Sequence, residues 1–368
     1  MAAEFEQVPV AVASGAPSAG LAGRLLDWRT VLSFGIAVAI LVLAFGKAGI
    51  RWHAAIDAMA GANPILFVLA FVVYYATFPL RGYRWRTLLA NANHGALRQA
   101  VRGTPLRDLT EIVYLSYFAN AVIPAKLGDI YRAYLARRWI GVSVSRTIGT
   151  ILAERILDLV VLFPLLLLAA VETFRALLLS AHDGTIRLAL LVGLGLALAA
   201  IGLLVVVWRA GNLILRILPH RLHDMYTHFR HGAVNSFGRD IAALTGQTVM
   251  VWLLEGARFA CILAALGLLG LGAHDHGLGL GAALFLALGS TVLTTLPLTP
   301  AGLGLVEPFI VSVLVLLKVP GGASTGAAVA VLERVVSYLS IVIFGFLLYV
   351  FSGRAHLATA QSAADPVA

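Results

Sequence analysis

The chain of 368 residues has few charged side chains, which make up 12% of it, whereas a soluble domain carries about 25%. It also has a single cysteine, Cys261, which excludes a disulfide framework and a cysteine-based metal site. Hydrophobic residues account for 60% of the chain, and its mean hydropathy is +0.91. This balance predicts an all-α integral membrane protein, because a helix satisfies its own backbone hydrogen bonds in lipid.

Motifs of enzymes and metal sites are also missing. The sequence has no H-E-x-x-H motif, no Ser-His-Asp arrangement and no phosphate-binding loop. Gly302-Leu-Gly304 is too short for a nucleotide loop, and His228 and His231 have no carboxylate-His-His pattern within a span. We therefore predict no catalytic residues, no metal, no cofactor and no enzymatic activity.

The net charge of +9 comes from Lys and Arg that fall between the hydrophobic stretches instead of forming one basic face. This pattern predicts contact with membrane lipids and not with nucleic acid. By the positive-inside rule, the basic segments 81–107 and 126–146 face the cytoplasm, as do both termini. The expected location is a bacterial inner membrane.

The hydrophobic stretches define the domain organisation, since a membrane span needs about 20 apolar residues. The apolar stretch 109–124 is too short for a span and ends at a Pro/Gly break, and 280–317 consists of two apolar halves separated by a similar break, which predicts two re-entrant or broken hairpins. Residues 1–27 and 354–368 are expected to be disordered cytoplasmic tails around a membrane domain of residues 28–353. The six predicted full spans are 31–48, 64–80, 147–171, 187–208, 243–271 and 327–351.

An internal repeat relates two parts of the chain. Pro124-Ala-Lys-Leu-Gly128 matches Pro300-Ala-Gly-Leu-Gly304, and each is followed by a Glu-Arg pair within a hydrophobic run. From the first Pro to that Arg the distance is 31 residues in one copy and 34 in the other. The repeat cores are 109–171 and 280–351. The predicted topology gives the two copies opposite directions, an architecture in which secondary transporters bind substrate between the repeats.

Charged residues within the predicted spans are the strongest chemical signal, since each costs roughly 2.5 to 3.5 kcal/mol at the centre of a membrane helix. They either neutralise one another as structural pairs or line a polar cavity that contacts substrate. Arg155 with Asp158, and Glu255 with Arg258, are spaced to pair within one helix. Including the residues beside the two breaks, the candidates are Asn120, Lys126, Asp129, Arg132, Glu154, Arg155, Asp158, Glu255, Arg258, Glu307, Glu333 and Arg334.

The two Pro/Gly breaks are predicted to interrupt helices. Freed backbone N–H groups and the cationic side chains that follow the first break either bind a phosphate or are simply solvated on the cytoplasmic side. The residues predicted to break the helices are Pro124, Gly128, Pro297, Pro300, Gly302 and Gly304.

Taken in order, several of these motifs resemble the flippase-like transmembrane region of the lysylphosphatidylglycerol synthase family. They are Arg81-Gly-Tyr-Arg-Trp-Arg86, residues 120–132, Glu154-Arg155, residues 297–307 and Glu333-Arg334. The family's Gly-Glu after the first break is Gly128-Asp129 here, with a shorter acid. The resemblance implies a stand-alone lipid translocase or lipid-handling protein. Aminoacyl transfer is not expected, since the soluble synthase domain is missing from the chain.

Three functions stay open from the sequence. The first is movement of an amphipathic lipid, anionic or glycosylated or isoprenoid, between membrane leaflets through a polar path. The second is a membrane scaffold or accessory subunit of an envelope-lipid pathway, such as hopanoid or glycolipid synthesis, with lipid-biosynthetic enzymes as partners. The third is a membrane-embedded transferase that uses Glu154 or Asp158 as a base.

Overall fold

The computed structural model describes residues 49–123, 127–180, 235–238, 240–270, 277–295 and 299–352, together with Gly35 and Gly46. In this part of the chain the elements are helices, and β-structure is limited to an isolated bridge between Leu269 and Leu278. Numbered in chain order, the helices are α1 (Trp52–Ala60), α2 (Pro64–Ala92), α3 (Gly95–Gly103), α4 (Leu106–Val122), α5 (Leu127–Ile140), α6 (Val144–Ser180), α7 (Ile241–Ala265), α8 (Leu280–Thr295), a 3₁₀ turn (Pro300–Gly302), α9 (Val306–Leu316), α10 (Gly322–Arg334), a π-helical turn (Val335–Leu339) and α11 (Ser340–Phe351).

Among the described residues, four helices are long and apolar enough to cross a membrane. They are α2, α6, α7 and the continuous run from Gly322 to Phe351, and each matches one of the six predicted spans. The other two, 31–48 and 187–208, lie outside the described residues, as do the two predicted tails. The prediction of an all-α membrane protein is confirmed.

Helix α2 corrects the predicted end of its span. It begins at Pro64, where the Asn63 side chain accepts hydrogen bonds from the N–H groups of Ile65 and Leu66, and it continues past residue 80 to Ala92. Arg81 and Arg84 therefore lie inside the bundle, with 4% and 0% of their surface exposed. The sequence analysis ended the span before them and counted them as cytoplasmic charges, which was wrong because the helix continues through Pro79 and Gly82.

Other span boundaries also differ from the prediction. Helix α6 extends from Val144 to Ser180, beyond both predicted ends. Helix α7 ends at Ala265 and not at residue 271, because Gly267 adopts a left-handed conformation with φ of +67°. The last span begins earlier than predicted, at Gly322, following Gly321 in the left-handed region. Glycines therefore determine both of these ends.

Each predicted broken hairpin forms two helices separated by a break. Helix α4 packs against α5, and α8 packs against the 3₁₀ turn and α9. The predicted break residues Pro124 and Pro297 lie outside the described residues, as does the path candidate Lys126. Whether 109–124 enters and leaves on one face of the membrane stays a prediction.

One pair of corresponding helices, α2 and α7, runs in opposite directions. The first repeat comprises α2 and α4–α6, and the second comprises α7–α11. At one end of the α2–α7 pair, the Asn63 N–H donates to the Ala265 carbonyl oxygen over 2.7 Å. At the other end, Asn91 Nδ2 donates to Asp240 Oδ2 over 2.9 Å. Helices α2 and α7 are therefore antiparallel, as an inverted repeat requires.

The two repeats also exchange packing partners. Helix α4 of the first repeat lies on α11 of the second, where Phe118 contacts Gly345 and the Ser352 hydroxyl donates to Glu111 over 2.6 Å. Helix α8 of the second repeat packs on α6 of the first, with the rings of Phe174 and Phe285 5.1 Å apart. One hydrophobic core consequently joins both repeats.

The hairpin topology can be tested with introduced cysteines. In a Cys261→Ser background we expect Pro105→Cys and Arg137→Cys, at the two outer ends of the α4–α5 hairpin, to react with a membrane-impermeant maleimide from the same side of the membrane. Labelling of intact and opened cells measures this. Reaction of the two positions from opposite sides would contradict a re-entrant hairpin.

Candidate functional site

A cavity of about 190 Å³ lies where the two repeats meet. Its wall combines arginines, acids, hydroxyl groups and aromatic rings, although the surrounding bundle is largely apolar. The charged residues that line it are Arg81, Arg155, Glu255, Arg258, Glu333 and Arg334. Since ionised groups are costly within a membrane bundle, such a cavity is the first candidate for a functional site.

A symmetric pair of ion contacts joins each broken hairpin to its following span. Arg155 Nη2 lies 3.1 Å from Asp129 Oδ1, and Arg334 Nε lies 2.7 Å from Glu307 Oε1. The partners are separated by 26 and 27 residues in the sequence. Both guanidinium groups line the cavity, while their carboxylate partners lie behind its wall. The shorter acid at position 129 therefore preserves the contact.

The same residues satisfy backbone groups at the breaks. The Gly128 N–H donates to Asn120 Oδ1, and the Gly304 N–H donates to Glu307 Oε2, each over 2.8 Å. Arg334 donates to the carbonyl oxygens of Ala301 and Gly302, both at 3.2 Å. Backbone freed from helical bonding is thus paired by side chains, which a membrane interior requires.

Glycine has a different physical role at each break. Gly304 has φ of +83°, in the left-handed region that only glycine adopts without strain, and Gly302 has φ of +68°. Gly128 lies so close to α4 that an added Cβ would overlap the Ser116 carbonyl oxygen. At the break of the second repeat, the backbone dihedral angles favour glycine. At the break of the first repeat, the close approach of α4 and α5 leaves no space for a side chain.

A second symmetric contact links each Glu-Arg motif to a crossing helix. Arg84 of α2 lies 2.7 Å from Glu154, and Arg258 of α7 lies 3.3 Å from Glu333. These partners are 70 and 75 residues apart in the sequence. The repeat consequently extends to α2 and α7, which the sequence comparison did not include.

The ion pair of Arg84 with Glu154 belongs to a second set of buried charges, which we call the dry network because none of its members lines the cavity. Arg84 also binds Asp158 at 2.5 Å and Thr248 at 2.9 Å. Arg132 lies 2.9 Å from the other Glu154 oxygen and stacks on the Trp85 ring at 4.0 Å. All these charged groups are buried and none lines the cavity. Their contacts join α2, α5, α6 and α7.

The sequence analysis considered two ion pairs within single helices, and one of the two is formed. Glu255 and Arg258 do pair, at 3.0 Å. Arg155 and Asp158 do not, because Arg155 binds Asp129 and Asp158 binds Arg84. Helix packing supplies each of them with a closer partner than its neighbour along the helix.

An alternating row of charges crosses the cavity wall. Arg81 Nη2 binds Glu255 at 2.9 Å, Glu255 binds Arg258, and Arg258 binds Glu333. Aromatic rings pack on these cations: Arg258 lies 5.3 Å from the Tyr74 ring centre, and Arg81 lies between Tyr117 and Trp252. This row holds each carboxylate of the wall against a guanidinium group.

Hydroxyl groups form another part of the wall. Helix α8 and the segment after it contribute Ser290, Thr291, Thr294, Thr295 and Thr299. The hydroxyls of Ser290 and Thr299 are buried and have no hydrogen-bond partner among the described residues. Buried polar groups are normally paired, so partnerless hydroxyls at a cavity indicate a ligand or water.

The predicted path candidates thus separate into distinct groups. Asn120, Arg155, Glu255, Arg258, Glu333 and Arg334 line the cavity, and so does the break residue Pro300. Asp129 and Glu307 orient the two cavity arginines, whereas Arg132, Glu154 and Asp158 belong to the dry network. Lys126, Pro124 and Pro297 lie outside the described residues, as do His228 and His231.

Sequence reasoning missed Arg81, Arg84 and the hydroxyl wall. Arg81 and Arg84 carried a signal in their spacing, since residues three apart lie on one side of a helix, but Pro79 just before them favoured an end of the span. The hydroxyl residues carried a weaker one, because Ser290, Thr291, Thr294 and Thr295 share one side of a helix. Their position at the same cavity as the arginines depends on how the helices pack.

Comparison with known proteins finds one family model over most of the chain. The model described as lysylphosphatidylglycerol synthase TM region matches residues 31–345. The match includes the first repeat, the second repeat as far as residue 345, and every cavity-lining residue named above.

Individual proteins are also similar to this chain. A UPF0104 membrane protein of Methanocaldococcus jannaschii is 31% identical over 232 residues, which cover 63% of this chain and 93% of the relative. Glycosyltransferase AglD of Haloferax volcanii is 26% identical over 332 residues, covering 82% of this chain and 51% of that protein. A UPF0104 membrane protein of Methanothermobacter thermautotrophicus is 23% identical over 358 residues, covering 89% of this chain and 94% of the relative.

Proposed function

This chain belongs to the family of lysylphosphatidylglycerol synthase transmembrane regions, and from that premise we propose that it moves an amphipathic lipid between the leaflets of a membrane. The observation that carries the proposal is the arginine-lined cavity between two repeats of a membrane-spanning bundle. A polar head group would bind in this cavity while its acyl chains stay in the lipid. An anionic head group suits the four arginines of the wall.

The repeat architecture supports this proposal. Antiparallel α2 and α7 each supply an arginine to the cavity wall. The span after each hairpin supplies another, which is held by an acid of that hairpin. Two similar halves around one site are suited to opening alternately toward either leaflet. We propose a bacterial inner membrane as the location, with both termini in the cytoplasm, and membrane lipids and lipid-biosynthetic enzymes as partners.

The transferase hypothesis is less well supported by the geometry. Its proposed bases, Glu154 and Asp158, are buried and held by Arg84, and neither lines the cavity. AglD is named a glycosyltransferase, but this chain spans about half of that protein's length, so its printed activity does not carry over. We therefore propose lipid movement without chemical modification of the lipid.

The scaffold hypothesis accounts for part of the structure. The dry network around Arg84 is what a purely structural arrangement of charges would look like. It does not account for Arg155, whose side chain is 35% exposed and faces the cavity. A scaffold has no need for an accessible cation at that depth.

Arg155→Ala is expected to reduce lipid movement about tenfold or more and to change stability little. A hydrogen bond to a charged group contributes roughly 1.5 to 3 kcal/mol, whereas a partly exposed ion pair contributes about 1 kcal/mol or less. The variant leaves Asp129 23% exposed, so its charge is not stranded in a dry site. A leaflet-specific assay with fluorescent lipids in proteoliposomes measures movement, and thermal unfolding in detergent measures stability.

Arg137→Ala is the matched control, since this arginine is exposed on α5 and does not line the cavity. It should move lipid at the wild-type rate. Wild-type movement in Arg155→Ala as well would refute the assignment of Arg155 to a lipid path.

A further inference from the structure

We infer that the two repeats have unequal parts in lipid movement. The second Glu-Arg motif, Glu333-Arg334, moves on a hinge formed by the π-helical turn Val335–Leu339, while the first motif, Glu154-Arg155, stays fixed. This inference rests on the proposed function and specifies which part of the bundle moves. It comes from the shape of the helix beside each motif, from the contacts of each glutamate, and from tyrosines that hold the turn.

The π-helical turn directly follows the second motif, within the span Gly322–Phe351. The Ser340 N–H donates to the carbonyl oxygen of Val335, five residues earlier, instead of to a residue four positions earlier. Helices bend readily at such turns. After Arg155 in the first repeat, α6 stays α-helical, and its proline, Pro164, lies about two and a half turns further on. Among the described residues, a hinge therefore lies directly beside the second motif but not beside the first.

The glutamates of the two motifs are held differently. Glu154 binds Arg84 at 2.7 Å with one oxygen and Arg132 at 2.9 Å with the other. These are the distances of strong charge-assisted contacts, about 2.7 to 2.9 Å. One oxygen of Glu333 lies 3.3 Å from Arg258, and the other lies 3.7 Å from the guanidinium group of the next residue in the chain. The second glutamate is consequently held less tightly than the first.

The second motif is attached to its own hairpin. Arg334 binds Glu307 at 2.7 Å and the carbonyl oxygens of Ala301 and Gly302 at 3.2 Å. Helix α9 also packs along α10. The 3₁₀ turn, α9 and α10 are therefore able to turn as one unit relative to α11, and Arg334 would move with them in the cavity wall.

Two tyrosines of α2, in the first repeat, hold the π-helical turn, and we call them the latch. The Tyr74 hydroxyl donates to the Ser337 carbonyl oxygen over 3.1 Å. The Tyr75 hydroxyl donates to Ser340 Oγ over 3.0 Å, and Ser340 Oγ donates to the Val336 carbonyl oxygen over 2.6 Å. Side chains thus bind carbonyl groups of the irregular turn, which stabilises the turn within a membrane.

The latch is in contact with the cavity. Tyr74 and Ser337 both line it, and the Ser337 hydroxyl is buried without a partner among the described residues. Arg258, which binds Glu333, lies 5.3 Å from the centre of the Tyr74 ring. A head group in the cavity is able to compete with the Ser337 carbonyl oxygen for the Tyr74 hydroxyl. Binding of a lipid would therefore release the hinge.

Deletion of Leu339 tests the hinge. A π-helical turn holds one residue more than an α-helical turn, so the deletion should give a continuous α-helix. Lipid movement in proteoliposomes should fall about tenfold or more. Leu339→Ala is the matched control, since it removes the same 44% exposed side chain but keeps the chain length, and it should move lipid at the wild-type rate. Wild-type movement in the deletion variant would overturn the hinge.

Tyr75→Phe tests the latch in a chain of normal length. It keeps the ring and removes the hydrogen bond to Ser340, so the turn is released more easily and lipid should move about threefold faster. A purely structural role of the hydroxyl would only lower this rate. Tyr114→Phe is the control, because it removes the 3.1 Å contact between the Tyr75 and Tyr114 hydroxyls but leaves the latch intact. An unchanged or slower rate in Tyr75→Phe would overturn the latch.

Spin labels separate the hinge from the proposed function. Leu316→Cys on α9 and Leu347→Cys on α11 are exposed positions on either side of the hinge, and both are introduced in a Cys261→Ser background. Double electron–electron resonance on the full-length protein should give two distances, and one distance after deletion of Leu339. One distance in the undeleted protein would refute the hinge even if lipid moves. Two distances without lipid movement in proteoliposomes would uphold the hinge and refute translocation.

Discussion

Arg84→Met is expected to lower the free energy of unfolding by about 3 to 5 kcal/mol, the typical cost of removing one partner from a buried ion pair. Arg84 is fully buried and binds two carboxylates, Glu154 and Asp158. Without it, Glu154 keeps Arg132 as a partner, but Asp158 loses its cation. SDS titration of the protein in mixed micelles measures the change.

A double variant distinguishes loss of charge balance from loss of packing. Arg84→Met with Asp158→Asn removes one charge of each sign and retains the contact between Arg132 and Glu154. It should recover more than half of the lost stability. Arg86→Met, two positions along the same helix and stacked on the exposed Tyr83 ring, should cost about 1 kcal/mol or less. Equal losses in Arg84→Met and Arg86→Met would contradict a dry network around Arg84.

Gly128→Ala is expected to destabilise the protein by several kcal/mol, although Gly to Ala within a helix is normally stabilising by about 1 kcal/mol. The added Cβ would overlap the Ser116 carbonyl oxygen and would lie 2.6 Å from Asn120 Oδ1. Relief requires α4 and α5 to separate, which also breaks the hydrogen bond from the Gly128 N–H to Asn120. Gly128→Val, with a larger side chain, should abolish lipid movement.

Gly246→Ala is the matched control for this substitution. Gly246 lies within α7, is exposed, and has no atom within 4 Å of its expected Cβ. The same change should therefore leave stability unchanged or raise it slightly. The free energy of unfolding is therefore expected to fall in Gly128→Ala and to stay unchanged or rise in Gly246→Ala. A stabilised Gly128→Ala variant would refute the close approach of α4 and α5.

The class of the protein and most of its spans could be predicted from the sequence. The physical reason is that a membrane imposes a local rule: about 20 apolar residues in helical form. Gly304 was also predicted from the sequence as a break residue, because a backbone turn in the left-handed region favours glycine whatever residues surround it. The repeat was also visible, since Pro, Gly and the Glu-Arg pairs recur with similar spacing.

Only the tertiary structure decided which charges pair and which ones face the cavity. Arg155 and Asp158 have the spacing of a helical pair, yet each binds a residue from another helix. Arg81 had the sequence signature of a cytoplasmic charge, but packing of α2 on α7 buries it beside Glu255. Partners separated by 70 residues or more are selected by how helices cross. Arg155 and Glu154 are neighbours in the chain, and because they point to different sides of α6, one faces the cavity and the other is buried in the dry network.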